Sequence, residues 1–158
     1  MLVTGPPVDP KRDRTLASRV TSFKGKKIIC GGTTANILAR EWGKEISVPL
    51  TNIDRSMPPM GIMDGIDLIS EGIITLGKVS EFLDTEIPED CNSRNPALLI
   101  VKELLNRDKI TFLIGTKIND AHQDPNMPVE LEIRRNIVKK ISRLLKDKYL
   151  KETELIFV

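Results

Sequence analysis

The residues best suited to binding chemistry lie at positions 31–34, a Gly-Gly-Thr-Thr run between a short apolar segment and a helical pattern. Glycines let backbone amides approach an oxyanion, threonines add hydroxyl donors, and a helix that begins there contributes the positive end of its dipole. A phosphate or a carboxylate fits such a site. The predicted ligand-binding residues of this segment are Gly31, Gly32, Thr33, Thr34 and Asn36, the last through its side-chain amide.

A plainer interpretation of the same segment is a tight turn followed by a helix that Thr33 or Thr34 caps. Both the complete G-x-G-x-x-G spacing and the lysine of a P-loop are missing, so the run is not a standard nucleotide-binding motif. The sequence leaves these two interpretations open.

Three further candidate residues follow other predicted strands. Glu71 lies in the turn 70–72 and is a candidate base, hydroxyl partner or metal ligand, with a simple helix cap as the alternative. Thr116 follows a strand predicted over 110–114, and His122, the only histidine, lies in the polar loop behind it. We expect all three to shape the crevice around the Gly-Thr run.

Catalytic and metal-binding motifs are weak in this sequence. Asp120, His122 and Asp124 offer the oxygen and nitrogen donors that suit a divalent metal. The simpler interpretation is that His122 is solvated or stabilises the conformation of its own loop. No Ser-His-Asp order, nucleophile elbow or HExxH motif is present, and apolar neighbours disfavour a thiolate at Cys30. The sequence therefore predicts no metal site, identifies no cofactor and favours no catalytic activity for this chain.

Composition excludes several classes of protein. The 158 residues, 40% of them hydrophobic, predict a single α/β domain over 1–158. Because 24 basic and 22 acidic residues nearly cancel and aromatic residues make up 4%, nucleic acid is not an expected partner. No signal segment follows Met1 and no apolar run approaches the length of a membrane span. Cys30 and Cys91 match no zinc or redox spacing, which favours reduced thiols in the cytoplasm.

Short apolar strands alternate with amphipathic helices along the chain. Strands are predicted over 2–4, 26–30, 45–48, 66–69, 110–114 and 155–158, and helices over 10–24, 33–42, 73–83, 98–105 and from 128 onward. Segment 49–64, with three prolines and three methionines, is predicted to be a long connection or a β-arm. The pattern predicts a three-layer α/β sandwich with a mostly parallel, Rossmann-like sheet, whose ligands bind beyond the carboxyl ends of the strands.

Three segments resemble a known family. They are 3–10 (VTGPPVDP), 27–37 (KIICGGTTANI) and 65–72 (GIDLISEG). Over nearly its whole length the chain resembles the C-terminal extension of bacterial serine phosphatases of the stage II sporulation protein E type, which belong to the metal-dependent PPM family. The resemblance implies a regulatory or ligand-sensing module linked, covalently or as a separate chain, to a protein phosphatase domain. The phosphatase domain precedes that extension and its aspartate ligands have no counterpart here, so phosphatase activity is not implied.

Three functional hypotheses follow. The leading one is an accessory domain that binds a small anionic ligand at the Gly-Thr run. The second is a metal-assisted hydrolase or transferase that acts on a phosphorylated substrate through Glu71 and the loop 120–124. The third is a protein-interaction domain with an exposed apolar patch around 57–63.

Overall fold

A five-stranded sheet is the centre of the computed structural model, which describes residues 1–49, 57–87, 94–117 and 129–158. The strands are β1 (Leu2–Thr4), β2 (Ile28–Cys30), β3 (Leu68–Ser70), β4 (Lys109–Ile114) and β5 (Glu152–Phe157). All neighbouring pairs are parallel, and the strand order is β3-β2-β1-β4-β5. This is the order of a Rossmann-like sheet, so the predicted fold class is confirmed.

Helices cover both faces of the sheet. They are α1 (Asp13–Ser22), α2 (Gly32–Trp42), α3 (Ile73–Asp84), α4 (Pro96–Leu105) and α5 (Val129–Asp147), with a 3-10 turn over Pro10–Arg12 before α1. Successive strand residues point to opposite faces, and the core divides accordingly. Val3 and Ile29 pack with residues of α1 and α2, whereas Leu2, Ile28 and Phe112 pack with residues of α3, α4 and α5. The result is the predicted three-layer sandwich.

Local signals account for two of the helix starts. The Asp9 carboxylate accepts a hydrogen bond from the Lys11 amide at 3.0 Å, and Pro10 is the first residue of the turn that leads into α1. The Asn95 side chain accepts from the amides of residues 97 and 98 at 3.0 and 3.2 Å, so α4 begins at Pro96, before the predicted residue 98. In both cases a side-chain cap precedes a proline at the first helical position.

The strand predicted over 45–48 is wrong. Ser47 makes only an isolated antiparallel bridge with Ile62, and Gly61 makes another with Ile69. The edge of β2 away from β1 is already paired with β3, so residues 45–48 have no strand position beside β2. Residues 50–56 of the predicted connection 49–64 lie outside the described residues. Within the described parts of the chain, no helix combines the length and the apolar character needed to cross a membrane.

Candidate functional site

A cavity of about 210 Å³ lies at the carboxyl ends of β1, β2 and β3. We call it the glycine-loop cavity. It is lined by Gly5 and Pro6 after β1, by the last residue of β2 and residues 31–34 that follow it, by residues 71–73 after β3, and by Arg134 of α5. The fold thus brings together five of the predicted ligand-binding residues, namely Gly31, Gly32, Thr33, Thr34 and Glu71.

Gly31 determines where α2 begins. Its φ of 134° and ψ of 122° belong to a conformation that side chains disfavour, and its amide donates to the Ser70 carbonyl at 2.9 Å. The helix therefore begins at Gly32, and no side chain among the described residues caps it. The predicted capping by Thr33 or Thr34 is wrong, because both threonines already lie inside the first turn. First-turn amides have no partner within their own helix, so α2 presents uncapped donors at the border of the cavity.

The hydroxyl group of Thr34 is an unsatisfied polar group at this site. Thr34 is fully buried, and its Oγ1 has no hydrogen-bond partner among the described residues. Oγ1 lies 3.5 Å from the position that a Cβ on Gly31 would occupy. Buried hydroxyls are normally hydrogen-bonded, since leaving one unpaired costs about 1–3 kcal/mol. The wall of the glycine-loop cavity therefore holds an unused hydrogen-bonding group.

The Glu71 carboxylate caps α3. Its Oε2 accepts hydrogen bonds from the amides of Ile74 and Thr75 at 3.0 and 3.4 Å, in agreement with the simple-cap interpretation. The positive end of α3 thereby offsets the negative charge that Glu71 brings to the cavity. Its roles as base, hydroxyl partner or metal ligand stay predictions. No group of three or more metal-ligating side chains occurs in the part of the chain that the structure describes.

Arg134 brings a positive charge to the cavity from the opposite side. The half-buried side chain passes over Gly5, where an added Cβ would lie 2.8 Å from Nη1 of the guanidinium. Gly5 has a φ of 79°, which favours glycine, and an added Cβ would also lie 2.8 Å from the backbone carbonyl oxygen of Gly115, which cannot move aside as a flexible side chain can. Sequence reasoning missed Arg134, because helical periodicity places it only on the polar face of α5. The helix reaches the cavity through tertiary packing, which leaves no local signal.

The crevice between β1 and β4 is closed by the backbone. Sheets with this strand order commonly bind ligands where the order reverses, which here is between these two strands. The Gly115 amide donates to the Thr4 carbonyl at 2.8 Å, and the Lys117 amide donates to the Pro6 carbonyl at 3.1 Å. The loops that follow β1 and β4 are thus in contact, and the glycine-loop cavity lies to one side, over β1, β2 and β3.

Two of the remaining predicted residues, Thr116 and Asn36, are described by the structure and do not line the glycine-loop cavity. Thr116 donates from both its amide and its hydroxyl to the Val158 carbonyl, at 3.0 and 2.9 Å, and so joins the ends of β4 and β5. His122 lies outside the described residues, as do Asp120 and Asp124. Asn36 borders a neighbouring cavity.

This neighbouring cavity, which we call the apolar cavity, has a volume of about 260 Å³. It shares Gly32 and Glu71 with the glycine-loop cavity. Its lining is mostly aliphatic and comes from α2, from β3 and from the segments on either side of residues 50–56. The other lining residues are Ala35, Asn36, Ile46, Val48, Pro59, Gly61, Ile69 and Ser70.

Comparison with known proteins assigns no family to this geometry. No family model, curated protein or solved structure matches the chain significantly. The resemblance to the phosphatase extension therefore stays a prediction. The functional inference rests on the residues of the two cavities.

Cys30 also borders the glycine-loop cavity, but its chemistry is that of a core residue. The residue is fully buried, and this burial raises the pKa of its thiol to about 12. The Ser70 hydroxyl lies 3.4 Å from its Sγ. A thiol in this state is a poor nucleophile, since the thiolate is the reactive form.

We therefore expect Cys30 to resist modification in the folded protein. In a Cys91→Ser variant, where Cys30 is the only thiol, Ellman's reagent at pH 8 should react at least about 100-fold more slowly with the folded protein than with the urea-unfolded chain. Equal rates would show that the thiol is accessible and ionisable, contrary to its position in the core.

Proposed function

We propose that this chain is an accessory regulatory domain that binds a small phosphate-containing anion in the glycine-loop cavity. The observation that carries the proposal is the uncapped start of α2, which borders a cavity that Arg134 also lines. Helix N-termini bind phosphate because their free amides point outward and their dipole favours negative charge. Thr34 also supports a polar ligand, because it is the residue lining this cavity among the four described residues that carry a buried side-chain atom without a hydrogen-bond partner.

Charge within the cavity favours one position for the anion. Glu71 repels an oxyanion, but α3 already satisfies one of its carboxylate oxygens. The first-turn amides of α2 have no capping side chain in the described part of the chain, and a guanidinium can add charge-assisted hydrogen bonds to phosphate. The anion is therefore expected over residues 31–34, on the side of the cavity away from Glu71.

The regulatory part of the proposal depends on the family resemblance. Segments 3–10, 27–37 and 65–72 support an association with a bacterial serine/threonine phosphatase domain in the cytoplasm. Two of these segments contribute residues to the glycine-loop cavity after β1 and β2, and the third contributes Glu71 and Gly72. A ligand large enough to fill the cavity could contact all three segments, and because it would bind only the folded state it would raise the stability of the domain.

The other two hypotheses gain no specific support. The hydrolase or transferase depends on Asp120, His122 and Asp124, which lie outside the described residues. The protein-interaction hypothesis predicts an exposed apolar patch around 57–63. Ile62 is exposed there, whereas Met57 and Met63 are buried in the core, and a single exposed apolar side chain does not mark an interaction site. We therefore propose the anion-binding function alone.

A glutamate at position 32 tests the proposed site. An added Cβ on Gly32 would contact nothing within 4 Å, so the fold has room for a side chain there. The new carboxylate would repel phosphate, and at a helix N-terminus it does not destabilise the helix. We expect phosphate to raise the melting temperature of the wild type in a thermal-shift titration and to have no such effect on Gly32→Glu.

Gly77→Glu is the matched control. Gly77 is also a helical glycine with open space around its Cβ position, but it lies in α3 and lines neither cavity. This variant should retain the response of the wild type to phosphate. A wild type that shows no stabilisation at tens of millimolar phosphate, or a response that persists in Gly32→Glu, would contradict the proposal.

A further inference from the structure

The glycine-loop cavity and the apolar cavity adjoin each other along α2. Gly32 and Glu71 belong to both. Ala35 and Asn36 follow Gly32 by three and four residues, so they continue the same face of the helix by one turn. One side of α2 therefore runs from the anion donors into the apolar cavity without interruption.

The size of the two cavities indicates a ligand larger than an inorganic anion. Their volumes are about 210 and 260 Å³. Each alone is smaller than the roughly 300–1,000 Å³ typical of small-molecule sites, and the two joined lie within that range. The site is therefore suited to a molecule with an anionic end and a second, mostly apolar part.

The polar groups at the junction and in the apolar cavity narrow the class of ligand. Glu71 lies at the junction, and its carboxylate accepts hydrogen bonds from other described residues only at Oε2, so Oε1 can accept from ligand hydroxyls. Asn36 is exposed and offers a donor and an acceptor beside Ile46 and Val48. A planar heterocycle can pack in the apolar cavity and form hydrogen bonds with the Asn36 side-chain amide through its ring edge. An acyl chain can only pack in the cavity.

We propose that the natural ligand is a nucleoside monophosphate. This inference rests on the proposed anion-binding function. The phosphate lies over residues 31–34, the ribose hydroxyls donate to Glu71, and the base occupies the apolar cavity with its edge at Asn36. The order of these three groups along the ligand matches the order of the residues along the joined cavities.

Isothermal titration calorimetry with four nucleoside monophosphates (AMP, GMP, CMP and UMP) tests this inference on the full chain. Ribose 5-phosphate and inorganic phosphate are the comparison ligands, since they lack the base or both the base and the sugar. We expect at least one nucleotide to bind about tenfold or more tightly than ribose 5-phosphate, because only the nucleotide fills the apolar cavity. If none of the four nucleotides binds more tightly than ribose 5-phosphate, the inference is wrong.

Asn36→Ala tests the position of the base. Loss of one hydrogen bond should lower the affinity for the preferred nucleotide about fivefold and leave the affinity for inorganic phosphate unchanged. Asn136→Ala, which removes an exposed asparagine of α5 that borders neither cavity, should change neither affinity. An unchanged nucleotide affinity in Asn36→Ala would overturn the placement of the base in the apolar cavity.

The outcomes separate this inference from the proposed function. Binding of inorganic phosphate without any gain from a base would leave the anion-binding function standing and refute the nucleotide. Absence of binding by phosphate and by all four nucleotides would refute both.

Discussion

Gly115→Ala is expected to destabilise the folded protein by about 3 kcal/mol or more, and so to shift its urea midpoint strongly or prevent folding. A Cβ on Gly115 would collide with the backbone of Gly5 and Pro6. Backbone atoms cannot rotate away as a side chain can, and both loops are fixed by the hydrogen bonds of Gly115 to Thr4 and of Lys117 to Pro6. The contact that closes the crevice between β1 and β4 would have to open.

Gly77→Ala provides the comparison for this prediction. The same substitution at a helical position with open surroundings should stabilise the protein by about 0.5–1 kcal/mol, since alanine is the better helix former. Urea denaturation followed by circular dichroism measures both changes. A Gly115→Ala protein as stable as the wild type would mean that the loops after β1 and β4 are not in contact.

Arg134→Gln is expected to weaken the binding of inorganic phosphate by about tenfold or more. A hydrogen bond to a charged group contributes roughly 1.5–3 kcal/mol, and Arg134 is the only basic side chain among the residues that line the glycine-loop cavity in the described structure. Glutamine keeps part of the stem that packs over Gly5, so the fold should survive. Calorimetry gives the dissociation constant, and urea denaturation checks the stability of the variant.

Arg143→Gln controls for the loss of one positive charge from the same helix. Arg143 is an exposed residue of α5 and does not border the cavity. Its removal should leave phosphate binding within about twofold of the wild type once the salt concentration screens long-range effects. An equal loss of phosphate affinity in both variants would indicate a general charge effect and no specific role for Arg134.

The fold could be predicted from sequence because its signals are local and repeat. Each buried strand is short and apolar, each helix has one apolar face, and the cap at Asp9 precedes a proline. The prediction of a strand over 45–48 was wrong, and the reason cannot be seen in any local sequence pattern. The place beside β2 belongs to β3, which the chain forms only twenty residues later.

The candidate site was predictable in part for a topological reason. Parallel strands have their carboxyl ends at one edge, so the turns after β2 and β3 had to meet, and Gly31 and Glu71 line one cavity. The capping prediction for Thr33 and Thr34 failed because the backbone conformation of Gly31 starts the helix at Gly32.

The missed features of the site all depend on contacts distant in sequence. Arg134 reaches the cavity because α5 packs against the sheet, and Gly115 closes the crevice because it meets Gly5. Thr116 follows a strand as predicted, but it bonds to Val158 of the neighbouring strand and does not reach the cavity. The expectation that ligands bind beyond the carboxyl ends of the strands therefore identifies candidate loops. It does not show which of these loops face one another.

The most direct test of phosphate binding at residues 31–34 is a titration of the ¹⁵N-labelled chain with inorganic phosphate, followed by amide chemical shifts. We expect the amides of Gly32, Thr33 and Thr34 to show the largest changes, with saturation at a common dissociation constant, because these donors lie at the uncapped start of α2. Largest changes elsewhere, for example at the exposed basic residues Arg12 and Arg19, or no saturable change at residues 32–34, would contradict the proposed site.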